Sequence, residues 1–381
     1  MLEIVGSAAG EAVPYAPLAM TAPQGRVGTF TEWDPLEEVL LGDPLGAMQP
    51  GDMMVFDAVI PQVFGPIVEQ IFPSGAREYP RDVVSAARRE IGELRHVLEG
   101  EGVTVRSAVP IDCSMPLRAP NWSVLNQFCS SNPRDSLLLI GDTVIEAPMA
   151  DRSRYFETFA YRHVLQELSE RGARWIGAPK PVLGDDSFVP WLRRDPDGHP
   201  IEWLTTEREP LFDAADFMKF GKDVVAMRSH VTNMAGIEWV RRLLEPTFTL
   251  HVVETLNPYA MHIDDTIMPL GEGKLLYSPD YIDPAKLPEI FSTWDLFPAP
   301  PAVITPKNRL GKLSGWLNVN MLSIDEKRIV VERSQEPTID LLKRLGLQPI
   351  LCDFENYYPF VGSFHCASLD IRRRGELRSC F

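Results

Sequence analysis

Apolar positions recur along the chain in two alternating rhythms. Over residues 81–98, Val84, Ala87, Ile91, Leu94 and Leu98 return at the three- and four-residue spacing that places them on one helical face. Gly100 and Gly102 end that run, and Val103-Thr-Val-Arg reads as a strand. The same sequence of events repeats. A second amphipathic helix, 153–170, stops at Gly172 and leads to a strand over 173–176. A third carries Ile237, Val240, Leu243 and Leu244, stops at Pro246 and leads to 248–253. A weaker fourth, 287–294, precedes an apolar segment, and a fifth, 339–345, gives way at Gly346 to a strand over 347–352. Apolar runs at 37–42, 137–140, 223–227, 274–277 and 329–332 supply further strands. Strand and helix in alternation predict an α/β chain. Five unequal units suggest a pseudo-repeat, but a doubly wound sheet gives the same alternation, and the pattern leaves both open. Residues 1–28, rich in Ala, Gly and Pro without periodicity, are expected to form a loose arm. No compositional shift divides 29–381, which is expected to be a single domain.

Composition narrows the partners. The net charge is −16 and 45% of residues are hydrophobic, so there is ample core for a large domain. A chain this acidic repels phosphate backbones and anionic membranes, and no Lys/Arg block interrupts that field. Nucleic acid and membrane are therefore not expected partners. The five cysteines, Cys113, Cys129, Cys352, Cys366 and Cys380, are odd in number and form no CxxC pair, which argues against a disulfide framework or a cysteine-rich zinc site. The opening Met-Leu-Glu lacks a basic signal-peptide region, and no uncharged run would span a bilayer. A reducing, cytoplasmic location is expected.

Four segments could carry chemistry. In Gly362-Ser-Phe-His-Cys366 a glycine permits close backbone approach and a cysteine stands where a strand begins. A lone cysteine is more often a buried structural thiol. In Met261-His-Ile-Asp264 the alternation of an extended segment would put His262 and Asp264 on one face, an acid–base pair or a satisfied core histidine. Asp213 and Asp216 lie in a window too apolar for solvated charges and need partners, or cap a turn. Asp135, in Asn-Pro-Arg-Asp, reads as a turn when taken alone. Combined, a thiol, an imidazole and several carboxylates suit chemistry on a guanidinium: carboxylates hold the planar cation, the thiolate attacks its carbon, and the histidine moves protons. A metal would use similar residues, but their spacing is not that of a ligand set.

These segments, with Glu32-Trp-Asp-Pro-Leu-Glu-Glu-Val, Pro133-Arg-Asp, Ile145-Glu-Ala-Pro-Met-Ala-x-Arg-Ser-Arg, Phe212-Asp-Ala-Ala-Asp-Phe, Met261-His-Ile-Asp, Phe364-His-Cys and Asp370-x-Arg-Arg-Arg-Gly in that order, resemble the arginine-dependent amidinotransferases. The resemblance covers the chain from about Thr29 onward. It implies the pentein fold, a five-module α/β propeller with pseudo-fivefold symmetry and a central site. It implies a ping-pong reaction without metal or cofactor. Cys366 takes the amidino group of L-arginine, His262 moves protons and Asp213 pairs with it. Ornithine leaves, and an acceptor amine then receives the group. Asp135 and Asp264 match the carboxylates that hold the guanidinium, and Met261 and Ser314 fall at substrate-binding positions. Dimers are common in the family, which makes a homodimer an expectation.

The pattern departs from that of the glycine-directed members at four places. Tyr281 stands where an arginine helps hold the amino-acid carboxylate. Leu313-Ser314 replaces two serines, Val361-Gly362-Ser363 replaces three glycines, and Tyr259 replaces an asparagine. A retained chemistry with an acceptor other than glycine, in a bacterial natural-product pathway, is the expectation. The competing reading is an arginine-hydrolysing enzyme of the same superfamily, of the deiminase type; a non-catalytic arginine-binding protein is a third.

Overall fold

The computed structural model describes residues 26–61, 78–307 and 317–381. Its sheets share one plan. The first joins Leu36–Leu41 antiparallel to Ser368–Arg373 and parallel to Thr104–Ser107. The second joins Leu137–Ile140, Thr143–Glu146 and Arg174–Gly177; the third joins Phe217–Phe220, Asp223–Met227 and Thr249–Val253. The fourth joins Ile267–Pro269, Lys274–Tyr277 and Asp295–Pro298; the fifth joins Leu322–Ser323, Arg328–Glu332 and Gln348–Cys352. In each of these five sheets the central strand is antiparallel to one neighbour and parallel to the other, while Leu117–Arg118 and Ser123–Val124 form a separate two-stranded antiparallel pair. A helical segment makes each parallel crossover, as parallel pairing requires. It is Arg81–Gly100, Arg162–Glu170, Met234–Leu244, the 3₁₀ turn Glu289–Thr293, or Glu336–Arg344. These are the five units that the apolar rhythm predicts.

Three of these helices stop in the same way. Gly102, Gly172 and Gly346 hold φ of 84°, 93° and 81°, a left-handed conformation that only glycine adopts cheaply. The next amide then bonds back across the helix end: Val103 to Leu98, Ala173 to Leu168 and Leu347 to Leu342, at 2.9, 2.9 and 3.0 Å. The second helix is shorter than expected. Residues 152–161 form 3₁₀ turns because Arg152, Ser153, Arg154, Glu157, Thr158 and Tyr161 are all buried, which no single helical face could achieve.

Apolar seams join the modules into a closed ring. Leu40, Leu137, Val144 and Leu369 link the first to the second. Leu138, Ile145, Phe217 and Val224 link the second to the third, and Met218, Val225, Ile267 and Leu275 the third to the fourth. Met268, Leu276, Ile329 and Val331 link the fourth to the fifth. Leu41, Leu94, Leu98, Val330 and Cys352 return from the fifth to the first. Burying each such side chain is worth about 1.5–3 kcal/mol.

The axis is polar instead. Arg134 donates to Asp370 at 2.9 Å and to the carbonyls of His365 and Ser368 at 2.8 and 2.9 Å. Lys219 lies 3.3 Å from Glu32 and 3.4 Å from Asp370, and Arg373 donates to Asp370 at 2.8 Å. Burial alone would raise the Glu32 carboxyl, but Lys219 and Arg134 bring it down to about 2. Of the expected arm 1–28, residues 1–25 lie outside the described residues; Val27 is buried and the Gly28 amide donates to Ile371. No helix among the described residues is long and apolar enough to cross a membrane.

Candidate active site

The turn that precedes each module's first strand points at the axis. Asp135 closes the helical turn Pro133–Ser136 before Leu137. Asp213 caps the 3₁₀ turn Ala214–Asp216 before Phe217. His262 caps Ile263–Asp265 before Ile267, and Asn320 follows Leu317–Val319 before Leu322. Cys366 stands two residues before Ser368. The ring thus gathers one chemical group or more from every module.

There the fold brings together residues far apart in the chain. The carboxylate, imidazole and thiol atoms of Asp135, His262 and Cys366 lie within 4.8 Å of one another. His262 Nε2 is 3.2 Å from Asp213 Oδ2, and its Nδ1 is 3.8 Å from Asp135 Oδ1. Arg154 donates to Asp135 at 3.0 Å and to Glu157 at 2.6 and 2.8 Å. The Cys366 thiol donates to Asp264 Oδ2 at 3.3 Å, and His365 Nδ1 holds the same oxygen at 2.7 Å. Asp216 accepts from Ser229 at 2.6 Å. The expected alternation of His262 and Asp264 along a strand is corrected. They occupy a 3₁₀ turn, so His262 turns to Asp213 while Asp264 turns to Cys366 and His365.

Protonation states follow from these neighbours. Burial would push the His262 imidazolium down, but Asp135 and Asp213 outweigh it and carry the group up to about 10. Burial, Asp264 and Asp135 all push the Cys366 thiol well above its ordinary value. Burial and Asp264 raise Asp265 to about 8. At neutral pH, therefore, the resting site holds a thiol and an imidazolium.

A cavity of about 130 Å³ leads to Cys366 and His262. Phe56, Val59, Ile60, Met261 and Leu317 form its apolar wall. Gly362 lines it too, with Tyr259, Tyr281 and Val361, three positions where the resemblance finds a departure from the glycine-directed pattern. Ser314 lies outside the described residues. A larger open depression of about 1090 Å³, between Phe30, Phe248 and Leu377, is lined by no cysteine or histidine. Arg154, Glu157 and Asn320 had no assigned role in the sequence reading. A polar Asn320 within the apolar run Val319-Asn-Met-Leu is the signal that marks it.

No protein-family model matches the sequence. The L-arginine:L-lysine amidinotransferase of Pseudomonas savastanoi pv. phaseolicola is 43% identical over 354 residues, 93% of this chain and 96% of its own. The chain belongs to the amidinotransferases. Among solved structures, SxtG, an amidinotransferase from Microseira wollei in the saxitoxin biosynthetic pathway, superposes on this amidinotransferase with a TM-score of 0.89 and 45% identity, covering 93% of this chain and 99% of its own. The inosamine-phosphate amidinotransferase of Streptomyces griseus superposes with a TM-score of 0.82 at 34% identity, covering 93% and 99%. The five-module ring of this amidinotransferase is the pentein fold, which settles the alternative that the apolar rhythm left open.

Proposed function

We propose that this enzyme moves the amidino group of L-arginine onto Cys366, releases ornithine, and passes the group to an amine other than glycine. One observation carries the reading: a thiol and an imidazolium at the end of one cavity stand against three buried carboxylates. Asp135 Oδ1, Asp213 Oδ1 and Asp264 Oδ1 are buried and accept no hydrogen bond from the described residues. Unpartnered buried carboxylate oxygens call for a donor, and a guanidinium supplies a planar fork of N–H groups.

The cation would also activate the nucleophile. A guanidinium about 4 Å from Sγ contributes about 4 kcal/mol at an effective dielectric of 20, about three pH units in the thiol's acidity. Arginine binding therefore favours loss of the Cys366 proton through Asp264, the thiol's present acceptor. The thiolate attacks the guanidino carbon, and a carbon–sulfur bond forms. The bond from that carbon to the ornithine nitrogen breaks as the His262 imidazolium gives that nitrogen a proton. His262, now neutral, takes a proton from the acceptor amine; the amine attacks, and the thiolate leaves.

The acceptor part of the reading rests on the cavity wall. Tyr281 presents a phenol where glycine-directed members place an arginine, and Tyr259 and Val361 alter the same surface. The lysine-directed relative and the saxitoxin-pathway structure support an acceptor other than glycine and a role in natural-product biosynthesis. Mass spectrometry after arginine alone should find an amidino adduct on Cys366, and adding a competent amine should clear it with stoichiometric ornithine. Citrulline and ammonia in the absence of any amine would overturn the transfer reading. Fast guanidinoacetate formation from glycine would overturn the acceptor reading.

A further inference from the structure

The fifth module's contribution to the axis is Asn320. It occupies the position that Asp135, Asp265 and Cys366 occupy in their own modules, two residues before the first strand. Its side chain is fully buried and uses all of its bonding capacity. Oδ1 accepts from the backbone amides of His365 at 3.0 Å and Cys366 at 3.2 Å. Those two N–H donors fix which end of the amide is oxygen. Nδ2 must then face the thiol, and it donates to Cys366 Sγ at 3.1 Å and to Asp265 Oδ1 at 3.2 Å.

Sulfur in a thiol is a weak acceptor, whereas a thiolate is a full anion. The contact is therefore stronger after the Cys366 proton has left than before. The carboxylates around Sγ act the opposite way. Asp264 accepts the thiol proton, and Asp264, Asp135 and Asp265 all oppose negative charge on sulfur.

We propose that Asn320 is a catalytic residue of the transfer: its Nδ2 holds the Cys366 thiolate while its Oδ1 fixes the two backbone amides that aim it. This rests on Cys366 being the nucleophile. The bond contributes when arginine arrives and the thiol ionises, and again when the thiolate departs from the amidino carbon. It aids both half-reactions and depends on no particular acceptor.

The test reads the thiol itself. The rate of Cys366 alkylation by iodoacetamide is followed against pH in the wild type, Asn320→Ala and Asn320→Asp, with ornithine release measured alongside. For Asn320→Ala the alkylation profile should move about one to two pH units to the alkaline side, the weight of one hydrogen bond to a charged acceptor. Ornithine-release kcat should fall about a hundredfold, as for loss of an oxyanion donor, and the arginine KM should change by less than about threefold. Asn320→Asp keeps both bonds to the backbone amides and should shift further, since a carboxylate replaces the donor. A folded Asn320→Ala protein with the wild-type alkylation profile would leave Asn320 a backbone brace and overturn the proposal. If Asn320→Ala does not fold, a wild-type profile in Asn320→Asp overturns it equally. Failure of the nucleophile reading looks different, because Cys366→Ser would then retain ornithine release.

Discussion

The seams between modules and the axis they enclose are equally buried, yet they are built from opposite materials. In a seam, Leu94, Leu98 and Val330 lose water and gain contact, and each position needs only shape. At the axis, Glu32, Arg134, Lys219, Asp370 and Arg373 give up hydration that only their mutual pairing offsets. Seams therefore tolerate change in proportion to the volume removed, while the axis tolerates change only where charge stays matched. Asp135, Asp213 and Asp264 break even that rule. Each carries a buried oxygen with no donor, as expected of a site whose charge is completed by a cationic substrate.

The largest expected effect separates the two regions by activity. Cys366→Ala should abolish ornithine release, about a 10⁵- to 10⁶-fold loss, with unfolding free energy within about 1 kcal/mol of wild type by urea titration. A variant that releases ornithine would remove the axis from the chemistry. Arg134→Met should destabilise by about 3–5 kcal/mol, because Asp370 and Glu32 lose a buried partner. A loss near zero would show the axial charges to be no more demanding than a seam. Leu342→Ala, in the seam between the fourth and fifth modules, should cost about 3 kcal/mol with kcat retained.

A titration is expected to be smaller again. His262 has its pKa raised in the fold to about 10, against about 6.5 unfolded. Its pairing with Asp135 and Asp213 is thus fully stabilising below about pH 6.5 and is lost as pH rises through 10. The stability difference between wild type and His262→Gln should narrow over that window in thermal melts. The smallest effect belongs to the helix ends: Gly346→Ala should cost about 1 kcal/mol, since its φ of 81° disfavours a Cβ.

The same division governs what could be read from the sequence. Helical periodicity located the amphipathic crossovers, and the strands 137–140, 223–227 and 274–277 fell where apolar runs placed them. The strand Phe217–Phe220 escaped notice because it carries the charge of Lys219, whereas Ser368–Arg373 follows Cys366 where a strand entry was expected, despite Asp370, Arg372 and Arg373. Lys219 and Asp370 pair across the axis, and a linear pattern shows a charge without showing its partner. Segment resemblance drew attention to Cys366, His262, Asp213, Asp135 and Asp264, which the fold then places together. Arg154 ends one of those segments without having been given a role, and Asn320 lies in none of them, although both touch the same groups.

The first sheet takes Ser368–Arg373 against Leu36–Leu41, so the ring closes between strands made early and late. During synthesis the second to fifth modules can collapse in order as they emerge. The sheet beneath Cys366 cannot, because its edge strand is the last one described. Such long-range pairing is slow to form and costly in loop entropy. The meeting of the thiol with His262 and the three carboxylates therefore depends on that long-range pairing. A ring without that pairing has no assembled site.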